Sequence, residues 1–178
     1  MKKVLTISGS AEHGKTATAV ILQKLLEQDG YKCLIINFAD YLKYIAKQYL
    51  GWDGKKDEAG RKILQILGTD VVRKKNPNFW VETVLRLINV FSDQYDYFLI
   101  GDCRFCNEIE CFKENDIPVT SLKIVRNNFS NQLTEEQRNH PSETALNNFD
   151  FDYVISSESG LDNLEKEVLK IYNTLKEA

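Results

Sequence analysis

Residues 3–28 read KVLTISGSAEHGKTATAVILQKLLEQ, and this stretch decides the fold. An apolar run, Val4 to Ile7, leads into Gly9-Ser10-Ala11-Glu12-His13-Gly14-Lys15-Thr16. Ala17, Val20, Ile21, Leu25 and Leu26 then recur at helical spacing until Gly30. The glycines let the backbone wrap closely enough to aim N–H groups at phosphate oxygens. The N-terminus of the helix adds positive potential. Lys15 can reach the β- and γ-phosphates, and the Thr16 hydroxyl can hold Mg²⁺. Strand, Gly-rich loop and helix in this order predict a nucleoside triphosphate site spanning Gly9 to Ala17. His13, inside the loop, is expected to face solvent.

The segments beyond alternate in the same way. Tyr31–Phe38, Tyr95–Gly101, Pro118–Val125 and Asp152–Ser156 read as further strands. Helices are expected over Ala39–Leu50, Glu58–Leu67, the stretch after Asn76-Pro77, Phe105–Asn115 and Leu161–Lys176. Five strands with continuous apolar cores between helices predict a parallel sheet covered on both faces, a three-layer α/β/α domain. Arg126–Asn148 is polar, Asn-rich and long for a connection, the signature of a lid or a disordered loop.

At 178 residues, 43% hydrophobic and 28% charged, the chain has the composition of one ordinary globular domain. Its net charge of -3 argues against nucleic-acid binding through a broad basic surface. No apolar stretch is long enough for a membrane span or a signal peptide, so a cytoplasmic location with reduced thiols is expected. Cys103-x-x-Cys106 has no matching second pair, which favours ordinary thiols over a metal or redox site.

In open α/β sheets, ligands lie beyond the carboxyl ends of the strands. Asp102, after Phe98-Leu99-Ile100-Gly101, is the candidate metal-supporting carboxylate, with capping of the helix that begins at Phe105 as the alternative. Asp40 and Lys43 follow the second strand. Asp40 can orient an arginine or the acceptor sugar, or act as general base for a hydroxyl acceptor. Arg61, Gln65, Thr69 and Arg73 follow at i, i+4 spacing if the helix continues through Gly68. Arginines there would recognise phosphate through forked donors, and a solvated helix face is the competing explanation. Tyr41 and Tyr44 are expected to pack at their helix. The apolar helix from Trp80 to Phe91 could bury the core or a second copy of the chain, so a homodimer is possible.

"FADYLK" (38–43), "GRKILQILGTDVVR" (60–73), Trp80, "DCRFCNE" (102–108) and "HPSETAL" (140–146) followed by "FDYVI" (151–155) resemble the deoxynucleoside monophosphate kinases of bacteriophages and bacteria. The resemblance runs in order through nearly the whole chain. Cys103 and Cys106 depart from it, standing where a valine-like residue and often a proline occur.

The resemblance implies a P-loop kinase fold over residues 1–178, with an acceptor-binding helical region at about 39–92 and a lid at about 127–145. It implies transfer of the γ-phosphoryl of ATP, with Mg²⁺, to a deoxynucleoside monophosphate. Small nucleotides would be its partners. At matching positions, Lys15 and Thr16 would serve ATP and Mg²⁺. Arg61, Gln65, Arg73 and Arg104 would belong to the acceptor site, with Trp80 near the base. Glu108 would orient Arg104 or a neighbour, and Arg126 and Arg138 would flank or occupy the lid. His140, Ser142 and Glu143 match a turn after the lid. Acceptors resembling those of dephospho-coenzyme A kinase or phosphomevalonate kinase are rival readings, and a non-catalytic nucleotide-binding protein is another.

Overall fold

The computed structural model describes residues 2–177. The strands are β1 (Lys3–Ser8), β2 (Cys33–Ile35), β3 (Tyr97–Cys103), β4 (Val119–Arg126) and β5 (Tyr153–Ser157). All neighbours pair in parallel, in the order β2-β3-β1-β4-β5. The helices are α1 (Lys15–Gln28), α2 (Ala39–Tyr49), α3 (Glu58–Gln65), α4 (Phe79–Phe91), α5 (Asn107–Glu114), α6 (Glu135–Asn139), α7 (Pro141–Thr144) and α8 (Leu161–Glu177).

Alternation along the strands builds two cores. Val4, Phe98 and Ile100 point to one face, where Trp80, Val84 and Ile88 of α4 and Ile109 and Phe112 of α5 cover them. Leu5, Ile7, Leu99, Leu122, Ile124 and Ile155 point to the other. There they meet Leu22 and Leu26 of α1 and Leu164, Val168 and Tyr172 of α8. Each face is sealed, as continuous apolar strands require. Trp80, Val81, Val84 and Ile88 of α4 are thus buried in the chain's own core, while Leu87 and Val90 of the same helix are exposed.

The expected strand Tyr31–Phe38 is shorter than its apolar run. Only Cys33–Ile35 enters the ladder, with Ile36 donating once more to the Leu99 carbonyl (3.0 Å). Beyond it, α2 begins, because both Asp102 oxygens accept N–H groups at its start: Phe38 to Oδ1 and Ala39 to Oδ2, 3.0 Å each. The α3 helix does continue through Gly68, but as a π-helical segment over Ile66–Arg73. Such segments are rare and concentrate at functional sites. The Trp80 indole N–H donates to the Gly68 carbonyl there (3.0 Å). The polar stretch 126–148 is ordered by the two short helices α6 and α7. Thr134 and Gln137 form a reciprocal capping box on α6.

The Cys103-x-x-Cys106 pair diverges. Cys103 is buried under the sheet, Cys106 is half-buried outside it, and all four thiols are free. No helix among the described residues is long and apolar enough to cross a membrane.

Candidate active site

At the carboxyl end of β1 the chain turns into its Gly-rich loop. Gly9 (φ 144°) crosses β4 so closely that a Cβ there would stand 2.5 Å from the Ile124 carbonyl oxygen. Only glycine permits that approach. Gly14 (φ 98°) then turns the loop into α1. The Lys15 ammonium donates to the Gly9 (2.8 Å) and Ser10 (2.7 Å) carbonyls. Burial, then the Arg104 charge, lowers its pKa to about 7, against the opposing pull of Glu143 and Asp102. Thr16 is exposed at the start of α1.

His13 does not face solvent as expected. Its Nδ1 accepts the Arg126 N–H (3.1 Å), and its ring packs edge-on against Phe129. Burial, then Lys15, lowers its pKa, which favours the neutral acceptor form. The Arg126 guanidinium lies over the same Phe129 ring, 3.9 Å from its centre. His13 and Arg126 thus tie the loop to the end of β4.

A cleft of about 740 Å³ runs from Lys15 and Thr16 to Trp80. Six cationic side chains line it (Lys15, Lys43, Lys56, Arg61, Arg73 and Arg104), with four carboxylates, Glu12, Asp102, Glu108 and Glu143. Arg61 pairs with Glu12 of the loop (2.6 Å) and donates Nε–H to the Lys56 carbonyl (2.9 Å). Arg73 pairs with Glu108, donates to the Pro77 carbonyl (3.0 Å) and to Asn107 (3.1 Å), and lies 3.9 Å over the Phe105 ring.

Glu108 is almost wholly buried. Its Oε2 accepts the Arg104 and Phe105 N–H groups, at 2.6 and 3.2 Å. Burial raises its pKa to about 7 against the pull of Arg73. Glu108 therefore orients the backbone of Arg104 but the guanidinium of Arg73. The partner of the Arg104 guanidinium is Glu143, 2.7 Å away but off the hydrogen-bonding direction. Arg104 also donates to the Ser142 carbonyl (3.4 Å).

This contact gives the 140–143 turn a physical account. His140 Nδ1 accepts the Ser142 N–H (3.2 Å) and caps α7, and the turn then presents Ser142 and Glu143 to Arg104. Gln65 and Thr69 line the cleft with no side-chain hydrogen bond among the described residues.

Several expected site residues stand elsewhere. Asp40 is exposed and outside the cleft wall. Its carboxylate accepts from the Asn37 backbone and side chain (3.1 Å each) and pairs with Lys43 (3.0 Å). Asn37 is the residue at the cleft, with its Oδ1 accepting the Gly101 N–H (3.1 Å). Arg138 of α6 is exposed and does not line the cleft. Leu133, just ahead of α6, and Gln137 within it are both buried, and Gln137 donates to the Glu58 carbonyl (3.3 Å). Tyr41 and Tyr44 stack on each other at their helix, 6.1 Å between centres.

Asp102 caps α2 rather than the helix after Phe105. A register shift between β1 and β3 beside it aims its side chain into the cleft. Burial raises its pKa. Among the described residues no three His, Cys, Asp or Glu side chains converge on a metal position. One hydroxyl, Thr16, and one carboxylate with spare lone pairs, Asp102, fit a magnesium ion held mostly by phosphate oxygens and water. Lys56 and Asn37 were not foreseen as site residues. The Lys55-Lys56 pair before the Asp57 cap of α3 was the available signal.

A model of the family described as deoxynucleotide monophosphate kinase matches residues 35–168, three-quarters of the chain but not the Gly-rich loop. The dephospho-CoA kinase of Campylobacter jejuni superposes with a TM-score of 0.54 at 13% identity, over 98% of this chain and 97% of that one. The APS kinase CysC of Mycobacterium tuberculosis gives 0.49 at 11% identity, over 97% of each chain. No curated protein matches the chain in sequence. The first likeness shows the P-loop kinase fold. With the family match over β2 to α8, the chain belongs to the deoxynucleotide monophosphate kinase family.

Proposed function

We propose that this protein transfers the γ-phosphoryl group of ATP to a deoxynucleoside monophosphate, giving ADP and the deoxynucleoside diphosphate. The observation that carries the proposal is one continuous cleft. Lys15 and Thr16 stand at its donor end, and Arg61, Arg73 and Arg104 line the wall opposite.

The chemistry suits these groups. A phosphate monoester has a second pKa of about 6, so the acceptor oxygen is already largely ionised at neutral pH and needs no strong base. The difficulty is to hold two anions together, which is a matter of positioning and charge. Lys15 would hold the donor phosphates, and Thr16 with Asp102, directly or through water, would hold Mg²⁺. Such an ion would supply charge neutralisation to the donor phosphates. Arg61 and Arg104 would take the acceptor phosphate, and Gln65, Thr69 and Trp80 would face its base. Leu133 and the 140–143 turn close one side and exclude water. A hydroxyl acceptor would need a general base, and Asp40, the residue expected to supply it, is outside the cleft.

The test is a panel of deoxy- and ribonucleoside monophosphates and dephospho-coenzyme A, with Mg²⁺ and ATP. Diphosphate should form from at least one deoxynucleoside monophosphate. Arg61→Ala and Arg104→Ala should raise the acceptor KM and lower kcat. ADP formation no greater than the blank with every nucleoside monophosphate would refute the proposal.

A further inference from the structure

The cations of the cleft differ in how they are held. Arg61, Arg73 and Arg104 each have a carboxylate partner, Glu12, Glu108 and Glu143 respectively. Lys43 has Asp40, and Lys15 has two carbonyls of its own loop. Lys56 alone among them has no acceptor for its ammonium among the described residues.

The loop that carries Lys56 is nevertheless firmly built. Trp52 is buried beneath it and donates to the Lys55 carbonyl (2.8 Å). Asp53 accepts the Lys55 N–H (2.8 Å), and Asp57 caps α3 through the Gly60 N–H (2.8 Å). The Lys56 carbonyl is itself fastened by Arg61. A braced backbone therefore presents to the cleft a flexible, exposed cation with no hydrogen-bond acceptor among the described residues.

Lys56 also lines the same cleft as Lys15 and the three arginines. The charges of Lys43, Arg61 and Arg104, opposed by Asp102, bear on it, and its own charge bears on Lys15. Partial burial and these like charges lower its pKa. A cation kept mostly among cations, with Asp102 the opposing charge that bears on it and no acceptor for its ammonium among the described residues, is suited to an anion that arrives with the substrates. Arg138, expected to flank or occupy the lid, is exposed and does not line the cleft.

We propose that Lys56 is a catalytic residue whose ammonium contacts the γ-phosphoryl group of the donor and stays with it through transfer; this rests on the nucleotide-kinase reading above. In that step an anionic oxygen of the acceptor phosphate forms the new bond to Pγ. The bond from Pγ to the β,γ-bridging oxygen breaks, and its electron pair leaves on the β-phosphate of ADP. No proton moves. Lys56 offsets charge on the equatorial oxygens, the group absent from ADP.

Binding of ADP and of the β,γ-imido analogue of ATP, both with Mg²⁺, tests this by calorimetry on wild type, Lys56→Ala, Lys56→Arg and Lys55→Ala. Lys56→Ala should weaken the imido analogue about tenfold or more, the usual worth of a hydrogen bond to a charged group, and leave ADP within about twofold. Lys56→Arg should recover part of the loss. Lys55→Ala, changed on the outer side of the same loop, should bind both nucleotides as wild type does.

Melting temperatures of the variants should agree with wild type, since the Lys56 side chain supports no packing. Equal binding of both nucleotides by wild type and Lys56→Ala overturns the proposal. If wild type phosphorylates no nucleoside monophosphate, the nucleotide-kinase reading fails, while the contrast between the two nucleotides still decides the contact of Lys56.

Discussion

Gly60 poses a test in which two arguments predict opposite signs. It sits in the first turn of α3 with ordinary helical backbone. By propensity, Gly60→Ala should stabilise the helix by about 1 kcal/mol. The surroundings say otherwise. A methyl group there would stand 2.0 Å from the Lys55 carbonyl oxygen, 2.7 Å from the Trp52 indole nitrogen and 3.2 Å from Asp57 Oδ1. Two of these atoms belong to the Trp52–Lys55 hydrogen bond, and the third caps the helix through the Gly60 N–H.

Relief requires backbone movement. Overpacking of this kind costs about 1–3 kcal/mol, and loss of the cap and of the buried indole bond about 1 each. After the propensity gain, a net loss of about 2–4 kcal/mol remains. For a chain of this size that lowers Tm by about 4–16 °C. The same movement carries the Lys56 carbonyl away from Arg61 Nε, so the acceptor KM should rise more than the ATP KM. Thermal melting of wild type and Gly60→Ala, followed by steady-state kinetics, measures both. A variant that melts at or above the wild-type temperature would refute the packing argument.

Two further outcomes follow from the cleft. Burial holds Lys15 at a pKa of about 7 in the free protein, and a bound triphosphate restores its charge. Below pH 7 both forms are charged; above it, binding must take up a proton, and ATP affinity falls by up to about tenfold per pH unit. Calorimetry at pH 8 in buffers of differing ionisation enthalpy reads the uptake. Lys15→Arg, always charged, should abolish it, and absence of uptake in wild type contradicts the shift. Trp80→Phe strands the Gly68 carbonyl in the π-helical segment, costing about 1–3 kcal/mol or about 2–12 °C in Tm by thermal melting. An unchanged Tm would mean that the indole bond contributes nothing there.

The frame of the molecule was legible because periodicity and the Gly-rich loop act locally. Val4 to Ile7, Gly9, Gly14 and Lys15 dictate strand, turn and helix within one stretch, and the apolar strand runs announce a sheet covered on both faces. Arg61, Arg73 and Arg104 were recognisable as cleft residues by type and by likeness to the family. What stayed hidden depends on partners distant in sequence.

Asp102 is 63 residues from Ala39, and nothing local shows that it starts α2 and cuts β2 short. Glu108 and Arg73 are 35 apart, Arg104 and Ser142 38 apart. Spacing could not assign which carboxylate holds which arginine. Asp40 follows the right strand, yet its neighbours Asn37 and Lys43 offer a closer set of partners than the cleft does. Arg138 and Gln137 are adjacent, and a single step of 100° around α6 decides which one turns inward. Lys56 carried no periodic signal at all, because its place depends on Trp52 lying under the loop.

The distribution of thiols has a practical consequence. Burial pushes Cys33 and Cys111 up to about 12 and Cys103 well above its ordinary value, so these three hold their protons at neutral pH. Burial raises the Cys106 thiol too, but Cys106 alone is partly open to solvent, with its sulfur 3.6 Å from the Ala145 carbonyl just past α7. A maleimide dye added to the unaltered protein should therefore attach at one position. That position is the seam between the start of α5 and the chain just past α7. Its emission would follow that seam in real time as nucleotides arrive and leave.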